Sequence, residues 1–288
     1  MQIGVVFPQT EIGGDPGSVR AYVDAVSELG YQHVLTYDHV VGADPAVYAG
    51  WSGPYDLSST FHEPLVLYGF LAAISSLELV TGILILPQRQ TALVAKQAAE
   101  VDLLSGGRLR LGVGLGWNHV EYDALGQEFT IRGERLSEQV ELLRRLWTER
   151  SVTFTGRFDH VTGVGLAPLP VQRPIPIWFG AQSEPALRRA GRLADGWFPQ
   201  VAPGAGLDKA IELVRDGATA AGRDPSTIGM EGRISAGDSE IDRIASQAEQ
   251  WRAAGASHLS LNTMGAGLGQ VDNHVAALAA AAEVVLGS

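Results

Sequence analysis

Short apolar runs alternate along this chain with longer segments in which apolar residues recur every three or four positions. Residues 3–7 form an apolar run closed by Pro8. Residues 19–29 then carry Val19, Tyr22, Val23, Val26 and Leu29 on one helical face, after an Asp15-Pro16 cap and before Gly30. Residues 33–37 read as a second strand. Residues 79–86 read as a third, almost wholly apolar, as a strand covered on both faces should be. A helix over 93–104 stops at Ser105-Gly106-Gly107, a strand follows over 109–113, and a helix over 134–147. The second half keeps the beat, with strands at 175–179, 196–198, 227–231 and 258–261 and helices at 185–193, 207–221, 241–254 and 271–286.

Eight strands, each followed sooner or later by a helix, predict an α/β fold: a closed parallel (β/α)8 TIM barrel in one domain over residues 1–288. Two stretches break the pattern. Residues 42–64 are rich in Gly, Pro and Ser and hold Tyr48, Trp51, Tyr55 and Phe61; residues 151–174 hold two short β-like runs among turn residues. Both read as loop insertions, and long loops in a compact domain are usually functional.

Composition removes several chemistries. The chain has no cysteine, which excludes disulfides, thiolate metal sites and cysteine nucleophiles, and fits a cytoplasmic protein. The first residues lack a basic region, so no signal peptide is expected, and residues 275–286 are too short a run to span a bilayer. A net charge of −11 with no Lys/Arg block argues against a nucleic-acid partner. Seven scattered histidines without a His-Glu-x-x-His pair predict no metal site.

In a (β/α)8 barrel the active site sits at the C-terminal ends of the strands. That rule selects Phe7, Pro8 and Gln9; Asp38 and His39; Gly82 and Ile83 with Gln88 and Arg89 beyond; Gly112 to Trp117; Gly180 to Ser183; and Asn262 to Gly265. His39 suits proton transfer near neutral pH, with Asp38 beside it to orient or charge the ring. The blander alternative is a capping Asp beside a surface His. Gly112-x-Gly114-x-Gly116 lacks the dinucleotide-binding spacing and reads as backbone that approaches a flat ligand or turns sharply at the rim. Asn118-His119-Val120-Glu121 reads as a capping box. Gly180-Ala181-Gln182-Ser183 feeds a helix N-terminus, with Ser183 as its cap, where exposed N–H groups suit a phosphate.

Together these segments resemble a known family. Gly4 to Gln9, Tyr37-Asp38-His39, Leu86-Pro87, Leu104 to Arg108, Gly112-Val113-Gly114-Leu115-Gly116-Trp117-Asn118, Glu121-Tyr122 and Ala194 to Trp197 resemble the bacterial luciferase-like superfamily. Within it the chain looks most like the oxidoreductases that use coenzyme F420, a deazaflavin. The resemblance implies a tricyclic ring across the barrel mouth, held by Asp38, His39, Gly82, Ile83, Gly114, Gly116, Gly180, Ala181, Gln182 and Ser183. It implies a cis peptide at Gly82-Ile83 behind the ring, and His39 as the catalytic residue near ring and substrate oxygen. Arg89 and Arg188 are candidates for the cofactor's negative charges. Where the sugar-phosphate dehydrogenase branch carries a glutamate, this chain has Trp117. Trp117 with Phe7 then suggests an apolar stacking wall and a small, partly apolar substrate. A homodimer is implied by the resemblance alone. The expected activity is hydride transfer between coenzyme F420 and that substrate. The alternatives are an FMN-dependent monooxygenase using oxygen, and a non-catalytic flavin-binding relative.

Overall fold

The computed structural model describes residues 1–238 and 240–287. Parallel strands β1 (Gln2–Val6), β2 (His33–Thr36), β3 (Glu78–Thr81), β4 (Leu84–Ile85) and β5 (Leu109–Gly114) are followed by an antiparallel hairpin, β6 (Val152–Thr155) and β7 (His160–Val164). Four more parallel strands complete the sheet: β8 (Ile177–Ala181), β9 (Gly196–Pro199), β10 (Gly229–Ser235) and β11 (His258–Asn262). Their order is β3-β2-β1-β11-β10-β9-β8-β5-β4, and a β3–β5 pairing closes the circle. β3 and β4 are two halves of one barrel strand interrupted at Gly82-Ile83, whose peptide bond is cis. The closed (β/α)8 barrel is therefore the observed fold.

The helices are α1 (Gln9–Ile12), α2 (Pro16–Glu28), α3 (Pro64–Ile74), α4 (Thr91–Ser105), α5 (His119–Ala124), α6 (Arg132–Thr148), α7 (Glu184–Leu193), α8 (Ala205–Ala220), α9 (Ile241–Ala253) and α10 (Val271–Val285). Asp15 starts α2 by accepting the Ser18 N–H at 2.8 Å. Gly106 ends α4 in the left-handed region at φ 70°. α3 was not expected from the sequence. Glu63 caps it by accepting the Val66 N–H at 2.7 Å, with Pro64 in its first turn. The hairpin is pinned to α6: Glu138 accepts the amides of Arg157, Phe158 and Asp159 at 2.7, 2.8 and 2.7 Å.

Strand side chains alternate between two cores. Ile3, Val5 and Phe7 point outward into the layer between sheet and helices, while Val6 points into the barrel with Leu35, Val80, Trp178 and Phe198. That alternation corrects the expectation for Phe7. It is fully buried, with its ring edge-on to Tyr22 at 5.4 Å, and does not line the barrel mouth.

Low in the barrel lies a buried ionic layer. Arg110 pairs with Glu231 and with Glu78 at 2.9 Å, and stacks over Trp178 at 4.4 Å. His33 Nε2 lies 3.0 Å from Glu231 Oε1 and 2.9 Å from Ser260 Oγ. Burial by itself would raise the Glu231 carboxyl, but Arg110 and His33 outweigh it and hold it far below the usual carboxylate range.

Candidate active site

A cleft of about 750 Å³ opens at the C-terminal ends of the strands. This lies within the roughly 300–1,000 Å³ of small-molecule sites. Asp38, His39, Gly82, Ile83, Gly114, Gly116, Trp117, Gly180, Ala181, Gln182 and Ser183 all line it. The closed topology is what gathers these residues from four strand ends at one mouth.

His39 follows β2 and is held from several sides. Its Nδ1 lies 3.3 Å from Glu121 Oε2. Its ring packs against Phe61 at 4.6 Å, Tyr55 at 5.1 Å and Trp117 at 5.7 Å. Nε2 has no hydrogen-bond partner among the described residues. Glu121 is fully buried and accepts the Val40 and Val41 amides at 2.7 and 3.3 Å through its other oxygen. Burial pushes its carboxyl up, but the His39 imidazole and the two amides outweigh this and leave it below the ordinary glutamate value. An ionised Glu121 favours a proton on Nδ1 and leaves the lone pair on Nε2, on a ring that lines the cleft.

Two expectations about this region are corrected. Glu121 was expected to close a capping box. Asn118 does cap α5, accepting the Val120 N–H at 3.1 Å, but Glu121 turns inward to His39. Asp38 was expected to orient His39. Its carboxylate instead takes the Ile85 amide at 2.9 Å and the Arg89 guanidinium at 2.8 Å. Arg89 is thereby committed to Asp38 and to Glu63. Arg188 lies outside the cleft, paired with Glu184 and Asp216. Neither arginine is free to meet a cofactor anion.

The glycines make room for the interruption of the third barrel strand. A Cβ on Gly112 would sit 1.8 Å from the Thr81 carbonyl, and one on Gly114 2.6 Å from Ile83 Cδ1. Gly116 has φ 65°, the sharp turn at the rim. A Cβ on Gly180 would lie 3.0 Å from Ile83 Cγ2. Ile83 thus rests on glycine backbone and presents a side chain to the cleft. Ser183 stands at the N-cap of α7, but its hydroxyl makes no capping bond and stays exposed. Trp117 is 40% exposed, and a Cβ on Gly53 would lie 2.5 Å from it, so the 42–63 loop closes over this ring only with glycine there. Sequence reasoning missed Arg132 and Arg233, which both line the cleft.

The sequence profile of the luciferase-like monooxygenases matches residues 1–283. The chain belongs to this family. Among relatives of this luciferase-like protein, an F420-dependent hydroxymycolic acid dehydrogenase of Mycobacterium tuberculosis is 30% identical over 254 residues, which is 87% of this chain and 66% of that protein. An FMNH2-dependent dimethylsulfone monooxygenase of Pseudomonas putida is 33% identical over 193 residues, 65% of this chain and 53% of that one. The chain spans about half the length, 54%, of mycobacterial relatives that it matches at 39% identity. In fold it is similar to the coenzyme F420 dependent tetrahydromethanopterin reductase of Methanopyrus kandleri, with a TM-score of 0.76 at 16% identity over 99% of this chain and 98% of that one. The family comprises oxidoreductases and monooxygenases, and its members here differ in cofactor.

Proposed function

We propose that this protein is an oxidoreductase moving a hydride between coenzyme F420 and a small, partly apolar organic substrate, with His39 handling the accompanying proton. The observation that carries the reading is one cleft holding both an apolar wall at Ile83 and an imidazole oriented by a buried carboxylate. The cleft's size, its Gly114–Gly116–Gly180 cradle and its donor set suit a flat ring with an anionic tail.

The deazaflavin, when bound, supplies two-electron hydride chemistry. The chain supplies the rest. Ile83 on its glycine bed offers a face for a ring. The Gly180–Ser183 turn, at the N-terminus of the ten-residue α7, presents backbone amides to negative charge. Arg132 is the cation suited to the same charge, because it lines the cleft with no carboxylate in ion-pair range among the described residues. Glu121 holds His39 Nδ1 so that Nε2 takes or gives a proton at a substrate oxygen. Trp117 and Tyr55 exclude water and meet the apolar part of the substrate.

A second reading, an FMN-dependent monooxygenase, is favoured by the 33% identity to the FMNH2-dependent dimethylsulfone enzyme. Titration with coenzyme F420 and with FMN, followed by cofactor fluorescence, separates the two. Tighter binding of coenzyme F420, with hydride transfer in the absence of oxygen, is expected. Tighter binding of FMN with oxygen-dependent turnover overturns the proposal. A cofactor that binds but accepts no hydride from any donor, with His39→Ala behaving as wild type, points to a non-catalytic relative.

A further inference from the structure

The charged groups that line the cleft are unequally satisfied. Asp38 is met by Arg89, and Glu231 by Arg110 and His33. Arg233, like Arg132, has no such counterpart: among the described residues no carboxylate lies in ion-pair range of it. It is exposed to the cleft, and its single hydrogen bond runs from Nη1 to Tyr37 Oη at 3.0 Å. A guanidinium carries five N–H donors, so most of its capacity is unspent.

The strand pattern adds donors on the same wall. Along β10, Met230 and Ile234 point out into the helix-covered core, so Glu231, Arg233 and Ser235 point into the barrel. Across the β10–β11 ladder, Arg233 is level with Ser260 and Ser235 with Asn262. Asn262 Oδ1 accepts the Met264 N–H at 3.0 Å, which leaves its amide NH2 group without a partner among the described residues. Ser235, Ser260 and Asn262 all line the cleft with Arg233.

The closed strand order fixes what this wall faces. Counting β3 and β4 as one strand, β10 is four strands away from it in either direction around the barrel. Arg233 therefore looks across the mouth at Gly82-Ile83. A ring held on Ile83 would leave its other face to the wall that carries Arg233, with room for substrate between.

We propose that Arg233 determines specificity: the substrate carries an oxyanion, a carboxylate in its simplest form. Arg233, Asn262 and Ser235 hold the anion, and the apolar body lies toward Trp117 and Ile83. The inference rests on this cleft being the substrate site, but its test needs no cofactor and no turnover. The probes are 4-phenylbutyrate and the uncharged 4-phenylbutyramide, titrated at low salt and followed by tryptophan fluorescence, with Trp117 as the reporting ring. The wild type should bind the carboxylate at least tenfold more tightly than the amide. Arg233→Gln should erase that preference while coenzyme F420 affinity stays within about twofold. Arg233→Lys, which keeps the charge but loses the planar fork, should retain part of the preference. Circular dichroism checks the fold of both variants.

Equal affinity for the two probes, or no binding of either at millimolar concentration, overturns the proposal. So does a preference that survives Arg233→Gln. A tenfold loss of coenzyme F420 affinity in Arg233→Gln with the probe preference unchanged also overturns it, since Arg233 then serves the cofactor. Should the wild type bind neither ring cofactor yet show the preference and its loss, the proposed activity fails and the anion site stands.

Discussion

Replacing Glu121 by glutamine keeps the shape of the side chain and removes its charge. The amide oxygen still accepts the Val40 and Val41 N–H groups, as Oε1 does at 2.7 and 3.3 Å. The new NH2 group then faces His39 Nδ1, 3.3 Å away in the parent. Two donors cannot share that contact, so the imidazole moves its proton to Nε2 or turns away. Either change withdraws the lone pair that the proposed mechanism uses. A hydrogen bond to a charged group is worth about 1.5–3 kcal/mol, or roughly 10–150-fold in rate. Turnover by Glu121→Gln should therefore fall by about that factor in kcat, with cofactor affinity changed by less than about twofold. His39→Ala should cost about 10²–10⁴-fold, the usual range for general acid–base catalysis. Because Glu121 acts through His39, the double variant should be no slower than His39→Ala alone. Single-turnover kinetics on the four proteins, with circular dichroism as a control, makes the comparison. Multiplying effects in the double variant, or wild-type kcat in Glu121→Gln, would refute the assignment of Glu121 as a positioning residue.

Other regions give separate expectations. Phe7→Ala removes a fully buried ring from the outer core and should cost about 3–5 kcal/mol in chemical denaturation. It should leave substrate KM nearly unchanged; a raised KM at full stability would return Phe7 to the site. Arg110→Met strands Glu231 in the barrel and should destabilise by about 3–5 kcal/mol; a loss under about 1 kcal/mol would mean the ionic layer is hydrated. Burial, reinforced by the nearby Arg110 charge, depresses the His258 imidazole to about 3 from 6.5. The unfolded chain takes a proton there that the folded chain refuses, so stability is full above pH 6.5 and falls as pH drops toward 3. His258→Gln should flatten the fall in Tm between pH 7 and pH 5, and a wild-type slope would contradict the assignment.

The barrel was legible because its strands are covered on both faces and read as apolar runs between helices of clear period. The errors have local causes. α3 has apolar residues on every side, in Pro-Leu-Val-Leu-Tyr-Gly-Phe-Leu-Ala-Ala-Ile, so no three-to-four spacing marks it. The seventh barrel strand was expected to end at residue 231 and runs on to Ser235. That shift hid Arg233, which a strand end placed at Ser235 would have exposed as an inward-facing cation. Glu121 fits a capping box by spacing alone. Its contact with His39 bridges 82 positions of chain and exists only once the barrel closes. Phe7 lay next to the rim in sequence but on the outward phase of β1, and the period-two rule applied to Ile3 and Val5 would have placed it.

In the proposed complex a flat redox ring lies on Ile83, with His39 Nε2 beside it and Arg233 across the mouth. A crystal structure of the protein with bound coenzyme F420 tests this most directly. The ring should lie against the Gly82-Ile83 step, with its phosphate near Gly180–Ser183 and Arg132. A ring lodged elsewhere, or one that leaves His39 out of reach of its open face, would contradict it.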